Sequence, residues 1–448
     1  MTRLSPRLTG PRLHEPAAFV DEPGRFWART APPVWPALDG DTRAEVAVIG
    51  GGFTGTSAAL HLAEAGVDTV LLEAADPAFG ASGRNGGFCC LGGAKAGAAL
   101  MRRRYGADGL AEWHRAEVAA VQTATSLIAR HGIDADTHSE GETQVAHTAR
   151  AMQRLRAEAA AAPETYGVTA RVIERDALRQ AGLGGPFHGA VTIPIGFALD
   201  PVRYHCGLAA AATAAGARCH AESPVTAITP DGPRWRLATP RGTVTADRVI
   251  VATNGYGAED IPPWIRGRTL PAFSNVIVTR PLTEDERAAQ GWMSRQMAYD
   301  TRKLLHYFRL LPDDRFLFGM RGGLSARPGE AATNRKRIRA HFAAMFPHWK
   351  DVGIEHDWTG LVCLTAKLTP FVGPVPDMAG VFAGFGYHGN GVAMGSHAGR
   401  ILAALARDET PDTVYPAAMR DEPPRFPLGR WRRLLLRPAY TAAELFDL

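Results

Sequence analysis

The sequence predicts an α/β protein: a parallel-sheet domain interrupted by an α+β part built on a mixed sheet. Three observations carry this. Residues 45–50 (EVAVIG) form a short apolar run that leads into a glycine-rich turn and an apolar helix, the order of a βαβ unit. A second strand–glycine–helix passage recurs near the other end, over residues 380–406. Between them, residues 258–356 hold mostly short strands with a closing helix.

Taken in order, residues 1–43 are rich in proline and arginine and carry Phe26, Trp27 and Trp35; an arm packed through its aromatic rings is expected. The helix after the first glycine loop runs to about Ala65, with Gly66 as C-cap, and residues 67–73 (VDTVLLE) give the next strand. Residues 110–131 read as a long helix striped by Trp113, Val118, Val121 and Ile128 and ended by Gly132. A strand over 142–147 precedes an alanine-rich helix from about Ala149. Asp200 as N-cap and Pro201 in the first turn open a helix over 201–215. Strands follow near 217–228, 234–239 and 243–252, then 274–280, 304–311 and 315–320. Ile338, Phe342, Met345 and Phe346 repeat at helical spacing within 334–346. The expected partition assigns 44–95, 196–257 and 357–406 to a Rossmann-like dinucleotide-binding domain. Residues 96–195 and 258–356 go to a substrate domain, and 407–448 form a tail.

Composition narrows the function. The chain has 448 residues, 46% hydrophobic and 21% charged, with a formal charge of +5. The cations are spread along the chain and nearly all are arginine, so the excess reads as compositional bias and no nucleic-acid partner is expected. None of the five cysteines forms a CxxC pair, so neither a metal site nor a redox disulfide is expected. The opening residues lack the apolar core of a signal peptide, and no apolar run reaches 18 residues. The expectation is a cytoplasmic protein without a membrane span.

Four motifs carry chemistry. In Gly50-x-Gly52-x-x-Gly55 the glycines allow a tight turn, close approach of a diphosphate and close helix–strand packing, and the helix N-terminus attracts phosphate. Glu73, 18 residues beyond Gly55, stands where an acid would bond a ribose hydroxyl; it disfavours NADP but leaves NAD and FAD open. Gly80–Gly87 (GASGRNGG) is bare enough to press on a flat ring, with Arg84 as its one cation. Ala252-Thr253-Asn254-Gly255 ends a strand in small residues. Gly384–Val392 (GFGYHGNGV) opens a second helix whose positive end suits a flavin pyrimidine, with His388 either a site residue or a packed one.

In this order and spacing the motifs resemble the D-amino-acid oxidase (DAO) superfamily of FAD-dependent oxidoreductases, in particular its gamma-glutamylputrescine oxidoreductases and glycine/sarcosine oxidase relatives. The residues are Gly50–Gly55 with Glu73, Ser82–Gly87, Ala252–Tyr256, Asp300-Thr301, Leu304–Tyr307, Phe318-Gly319, Trp358–Leu361 and Gly386–Gly395. The resemblance implies FAD held by Gly50, Gly52, Phe53, Thr54, Gly55, Glu73, Ala74, Ser82, Arg84, Asn85, Gly86, Thr253 and Asn254. It extends that set to Gly386, Tyr387, His388, Gly389, Asn390 and Gly391, with Val225 meeting adenine through its backbone. It further implies oxidation of a primary or secondary amine or an amino acid. Hydride passes from the carbon beside nitrogen to flavin N5, the imine is hydrolysed, and oxygen or another acceptor takes the electrons. Arg84, Tyr307, Arg321 and His388 are the expected substrate contacts, the arginines for an anionic group. Two departures stand out. Many relatives read GYSGHG where this chain has Gly386–Gly391, and the oxygen-activating lysine of sarcosine oxidases falls near the apolar Leu317; Cys363 lies near their flavin-linking cysteine. An NAD-dependent dehydrogenase remains an alternative. So does an RNA-binding, tRNA-modifying FAD enzyme, whose footprint would be Arg335–Arg337 with Arg339 and Arg430–Arg433, although both runs read as solvated helix faces.

Overall fold

The structure, a computed structural model, describes residues 18–19, 24–325 and 328–446. Among them the helices are α1 (Phe53–Glu64), α2 (Ala98–Arg130), α3 (Ala149–Tyr166), α4 (Pro201–Ala214), α5 (Glu284–Gln290), α6 (Pro328–Met345), α7 (Ala393–Ala406), α8 (Ala417–Arg420) and α9 (Leu436–Phe446). The first sheet runs Phe371–Pro374, Val381–Phe385, Gly242–Val251, Thr42–Ile49, Thr69–Leu72, Arg218–His220. Ala227–Asp231 and Arg234–Thr239 extend it as an antiparallel meander beside Gly242–Val251. Ile49 lies opposite both Leu72 and Val251 in parallel register, and Val251 lies opposite Ala383. Four strand ends therefore open on one edge, where an open α/β sheet takes its ligand.

The second sheet also has eight strands, ordered Ile354–Thr365, Thr269–Pro281, Arg315–Arg321, His306–Leu310, Ala298–Asp300, Glu142–Val145, Gly189–Ile193, Arg171–Glu174. Phe308, Phe316 and Phe318 on its inner strands pack with Phe342, Phe346 and Trp349 beside α6, so the aromatic repeat read from the sequence forms this core.

The partition and some element bounds expected from sequence need correction. Strand Ile354–Thr365 pairs with Thr269–Pro281 over almost its whole length, so the boundary placed at residue 357 falls inside the second sheet. The chain rejoins the first sheet at Phe371. Helix α2, expected with the substrate domain from residue 96 onwards, packs Met101, Leu110, Trp113, Val121 and Leu127 into the core shared with α1 and α7. Helical residues also begin at Ala98, before 110; Gly106 (φ 76°, ψ −179°) is non-helical and kinks the run into two helical stretches, the second of which carries the expected stripe, while Met101 on the first is buried in the same core. The strand expected over 217–228 divides into Arg218–His220 and Ala227–Asp231, and the loop between them carries Val225.

The basic tail is likewise corrected. Arg432 is fully buried: it donates to the Thr269 carbonyl (2.7 Å), to the Gly429 carbonyl (3.1 Å) and to Glu259. Arg433 donates to Pro271 O (2.8 Å) and to Leu324 O. These arginines pin the tail to the start of strand Thr269–Pro281; they are not a solvated or RNA-facing face. On α6, Arg335 pairs with Asp357 at 2.7 Å. Breaking a buried ion pair from one side strands the partner charge. Arg432→Met should therefore lower unfolding stability by about 3 kcal/mol in denaturant melts, and adding Glu259→Gln should recover part of that loss.

Candidate active site

Two glycine loops meet at the open edge of the first sheet. A Cβ at Gly55 would lie 1.9 Å from the Gly50 carbonyl oxygen, and one at Gly52 would lie 2.9 Å from Ser82 Oγ, so both positions need glycine. Gly52 is the N-cap of α1 and has no side chain to close it; the Ser82 hydroxyl instead accepts the Phe53 N–H at 2.9 Å. Glu73 stands at the end of Thr69–Leu72. Its Oε2 accepts the Gly51 N–H (2.7 Å) and its Oε1 the Ala75 N–H (3.0 Å), while burial pushes its pKa up. Each oxygen keeps acceptor capacity for a ribose hydroxyl.

The loop Gly80–Gly87 is braced from within. Asn85 Nδ2 donates to Ala81 O (3.0 Å) and Ser82 O (2.9 Å), and its Oδ1 accepts the Gly87 N–H at 2.8 Å. Arg84 Nε donates to Phe79 O at 2.8 Å and Nη1 to Thr359 O at 3.3 Å, with the guanidinium over the Phe79 ring. Arg84, expected to hold a substrate acid, is thus tied to backbone carbonyls. Arg309, which sequence reading did not single out, clamps the same loop: it is fully buried and donates to Gly86 O (3.0 Å), Leu199 O (2.7 Å) and His138 Nε2 (2.9 Å).

The second loop is tied to the first and to the strand ends. Asn254 Oδ1 accepts the Gly386 N–H at 3.0 Å, and the Tyr387 and Thr54 hydroxyls share a 2.9 Å bond. His388 Nδ1–H donates to Gly93 O at 3.1 Å, and its Nε2 accepts the Thr365 N–H at 3.2 Å. Burial lowers its pKa to about 4. A neutral ring with both nitrogens on backbone groups is a brace, so His388 takes the packed alternative and not the expected substrate contact. Asn390 donates to Leu91 O. Gly389 (φ +104°) lets Arg321 approach; a Cβ there would lie 2.3 Å from Arg321 Nη2.

These loops wall a cavity of about 670 Å³ that runs from Glu73, Ala74 and Val225, past Thr253 and Asn254, to Tyr307 and Arg321. Most of the expected residues line it; Gly55 and Gly386 do not, and sit behind the wall, Gly55 packed on the Gly50 carbonyl and Gly386 (φ +82°) on Thr365. Tyr307 bonds Ser274 Oγ at 2.9 Å, while its neighbour His306 points to the opposite face and bonds Asp300 at 2.7 Å, as strand alternation predicts. Cys363 lines the cavity with its thiol pushed up to about 12 by burial, whereas Leu317 is buried in the core behind Trp358.

Several charged groups of the cavity were not foreseen. Glu142 accepts the Tyr299 O–H (2.6 Å) and the Leu91 N–H (2.8 Å), and burial raises its pKa to about 7. Glu117 accepts the Tyr166 O–H at 3.2 Å and is raised to about 8, again by burial. Lys95 also lines it. Glu117 did leave a signal: it stands at i+4 from Trp113 and i−4 from Val121, a charge on an apolar stripe. No cluster of metal-ligating groups occurs among the described residues, and no described helix is long and apolar enough to cross a membrane.

A glycine-bare groove, an acid at the end of the second strand and two helix N-termini on one edge fit a dinucleotide carrying a flat ring. The comparisons agree. The sequence pattern of the family described as "FAD dependent oxidoreductase" (DAO) matches residues 45–405. The chain belongs to the DAO family of FAD-dependent oxidoreductases. It is 32% identical over 367 residues to gamma-glutamylputrescine oxidoreductase of Escherichia coli (strain K12), covering 82% of this chain and 84% of that one. It is 25% identical over 394 residues to glycine oxidase of Pseudomonas aeruginosa, covering 86% and 99%. Among solved structures, glycine oxidase from Geobacillus kaustophilus superposes with a TM-score of 0.66 at 19% identity over 83% of this chain and 96% of that one, a likeness of fold. As a DAO-family member the protein is an oxidoreductase, and the DAO fold accounts for the interrupted first sheet.

Glu117 also sets a pH dependence. Its folded pKa, about 8, lies above the ordinary value of 4.5. Below 4.5 both states are protonated. Between 4.5 and 8 only the unfolded chain ionises, so this group's contribution falls as pH rises. Glu117→Gln should therefore melt like the wild type near pH 5 and a few degrees above it near pH 8, read by thermal scans across that range.

Proposed function

We propose that the protein binds FAD along this groove and oxidises the carbon–nitrogen bond of a small amine or amino acid. The observation that carries the reading is the continuity of one cavity from the Glu73 end to an end holding Tyr307 and Arg321, which has no hydrogen-bond or ion-pair partner among the described residues. The names of the relatives, a gamma-glutamylputrescine oxidoreductase and a glycine oxidase, support an amine as substrate. The family match favours FAD over the NAD alternative.

Bound FAD supplies hydride acceptance at N5. The chain supplies the rest. Gly50–Gly55 and the α1 N-terminus hold the diphosphate, and Glu73 holds a ribose. The α7 N-terminus, reached through Gly389–Val392, faces the cavity with its positive end and favours negative charge on the ring. Arg321 offers two parallel donors to an anionic group of the substrate. Its field disfavours an ammonium nearby, so the amine binds with its proton given up to bulk water, as loss of hydride from the adjacent carbon requires. Tyr307, fixed by Ser274, presents its ring and hydroxyl to that carbon's surroundings. The imine leaves for hydrolysis in water, and electrons pass to oxygen or to another acceptor.

Two measurements test this. Purified protein should be yellow and release FAD on denaturation; a colourless preparation that also refuses added FAD overturns the reading. Anaerobic mixing with amines, with and without an acid group, should bleach the flavin for at least one, and failure of all of them removes the amine assignment. For an acid-bearing substrate, Arg321→Met should raise KM by roughly 30- to 100-fold, the loss of a charge-assisted pair.

A further inference from the structure

The last segment of the described chain presents an apolar and basic face that is left uncovered among the described residues. Residues after 405 lie outside the stretch matched to the DAO family, and they include a 3₁₀ helix, Gly429–Leu435, that runs straight into α9. A 3₁₀ helix has three residues per turn, so side chains three apart share one face. Leu428, Trp431 and Leu434 stand at that spacing and are 55%, 60% and 58% exposed. The face carrying Arg432 turns inward. Arg432 is fully buried and held by the Thr269 and Gly429 carbonyls and by Glu259. Arg433 donates to Pro271 O, at 2.8 Å, and to Leu324 O, and Leu436 packs on Leu270 and Ala272. The stripe is therefore mounted on the second sheet and held in one orientation. Helix α9 adds Leu445, 67% exposed. Four of the seven large apolar side chains exposed among the described residues thus lie between Leu428 and Leu445. Such a concentration marks an interaction surface, whereas single exposed apolar residues do not.

Charge decides what this face fits. From Arg425 to Leu445 the chain has five arginines and one acid, Glu444. Arg432 and Arg433 are engaged by the fold. Arg430 and Arg437 are exposed beside the stripe, and neither has a carboxylate partner among the described residues. Arg430 lies over the Trp431 ring, 5.0 Å from its centroid, and Arg437 follows three residues after Leu434. A second copy seated face to face would set these arginines against their own copies, which like charges oppose. A nucleic acid would leave Leu428 and Leu434 without an apolar partner. An anionic bilayer meets both demands: leucines enter the acyl boundary, an indole settles at headgroup level, and guanidinium groups meet lipid phosphates. We infer that Leu428, Trp431 and Leu434, with Arg430 and Arg437, dock the protein on the surface of an anionic lipid bilayer without spanning it. This holds whether or not the cavity oxidises an amine.

The test is co-sedimentation of the whole chain with vesicles. Phosphatidylcholine vesicles containing phosphatidylglycerol are compared with vesicles of phosphatidylcholine alone, at low and at high salt. The wild type should bind the anionic vesicles, bind the neutral ones about tenfold or more weakly, and lose most of its anionic binding at high salt. Trp431→Ser with Leu434→Ser should weaken binding about tenfold or more. Arg430→Gln with Arg437→Gln should weaken it about fivefold per arginine. Both double variants should melt like the wild type, because the replaced side chains are exposed. If the serine pair lowered the melting point, the glutamine pair would decide alone. No binding by the wild type, equal binding to the neutral vesicles, or binding unchanged in the glutamine pair overturns the proposal. Light scattering supplies the remaining arm: a wild-type dimer that the serine pair converts to a monomer assigns the face to a second copy and likewise overturns it.

Discussion

Helix α1 leaves its strand so closely that a single methyl group at Gly55 would collide with the Gly50 carbonyl, and α7 crosses α1 at comparable range, a Cβ at Gly399 falling 2.5 Å from Thr54 O. The rest of the site depends on this bare crossing. It lets the Ser57 hydroxyl donate to Ser396 O at 2.8 Å and the Thr54 and Tyr387 hydroxyls meet, although the latter pair is 333 positions apart in the chain. Both helix N-termini consequently face one groove, and the four parallel strand ends set its floor. Bulk at the crossing would separate the two loops and open the cavity wall.

Around that crossing, polar side chains divide into those bonded to the fold and those with no partner among the described residues. Arg84, Asn85, Arg309, His388 and Asn390 are engaged by backbone carbonyls or amides, and they keep irregular loops in one shape. Such bonds satisfy buried backbone groups that loops cannot pair in a ladder. Among the described residues Arg321 and Lys95 are left over, in a cavity where Glu117 and Glu142 are already bonded to tyrosines and Glu73 to backbone amides. A site that keeps charge without a partner is prepared for a ligand that brings one.

Much of this architecture was legible locally. Asp200 does cap α4, its Oδ1 accepting the Val202 and Arg203 N–H groups at 2.9 and 3.1 Å. The periodic Ile338, Phe342 and Phe346 are all buried on α6. The glycine loops, Glu73 and most of the residues assigned to the groove line one cavity. Less legible was what lies between the loops. Strand Ile354–Thr365 neighbours the motif of the second loop in sequence but pairs with the other sheet, and α2 turns its stripe to the first sheet's helices. Adjacency along the chain does not say which layer buries a given apolar face.

Residue type and spacing determined the βαβ unit, the two glycine loops and the kind of molecule they cradle, because turn geometry and close backbone approach depend on side chains within a few positions of one another. Only the tertiary structure decided that Arg84 and His388 are braces while Lys95 joins Arg321 in the cavity. A polar side chain's role is set by the partners that reach it, and here deciding partners come from segments hundreds of positions away, Thr359 to Arg84 beside the local Phe79 carbonyl, and Gly93 to His388, while Lys95 has none among the described residues.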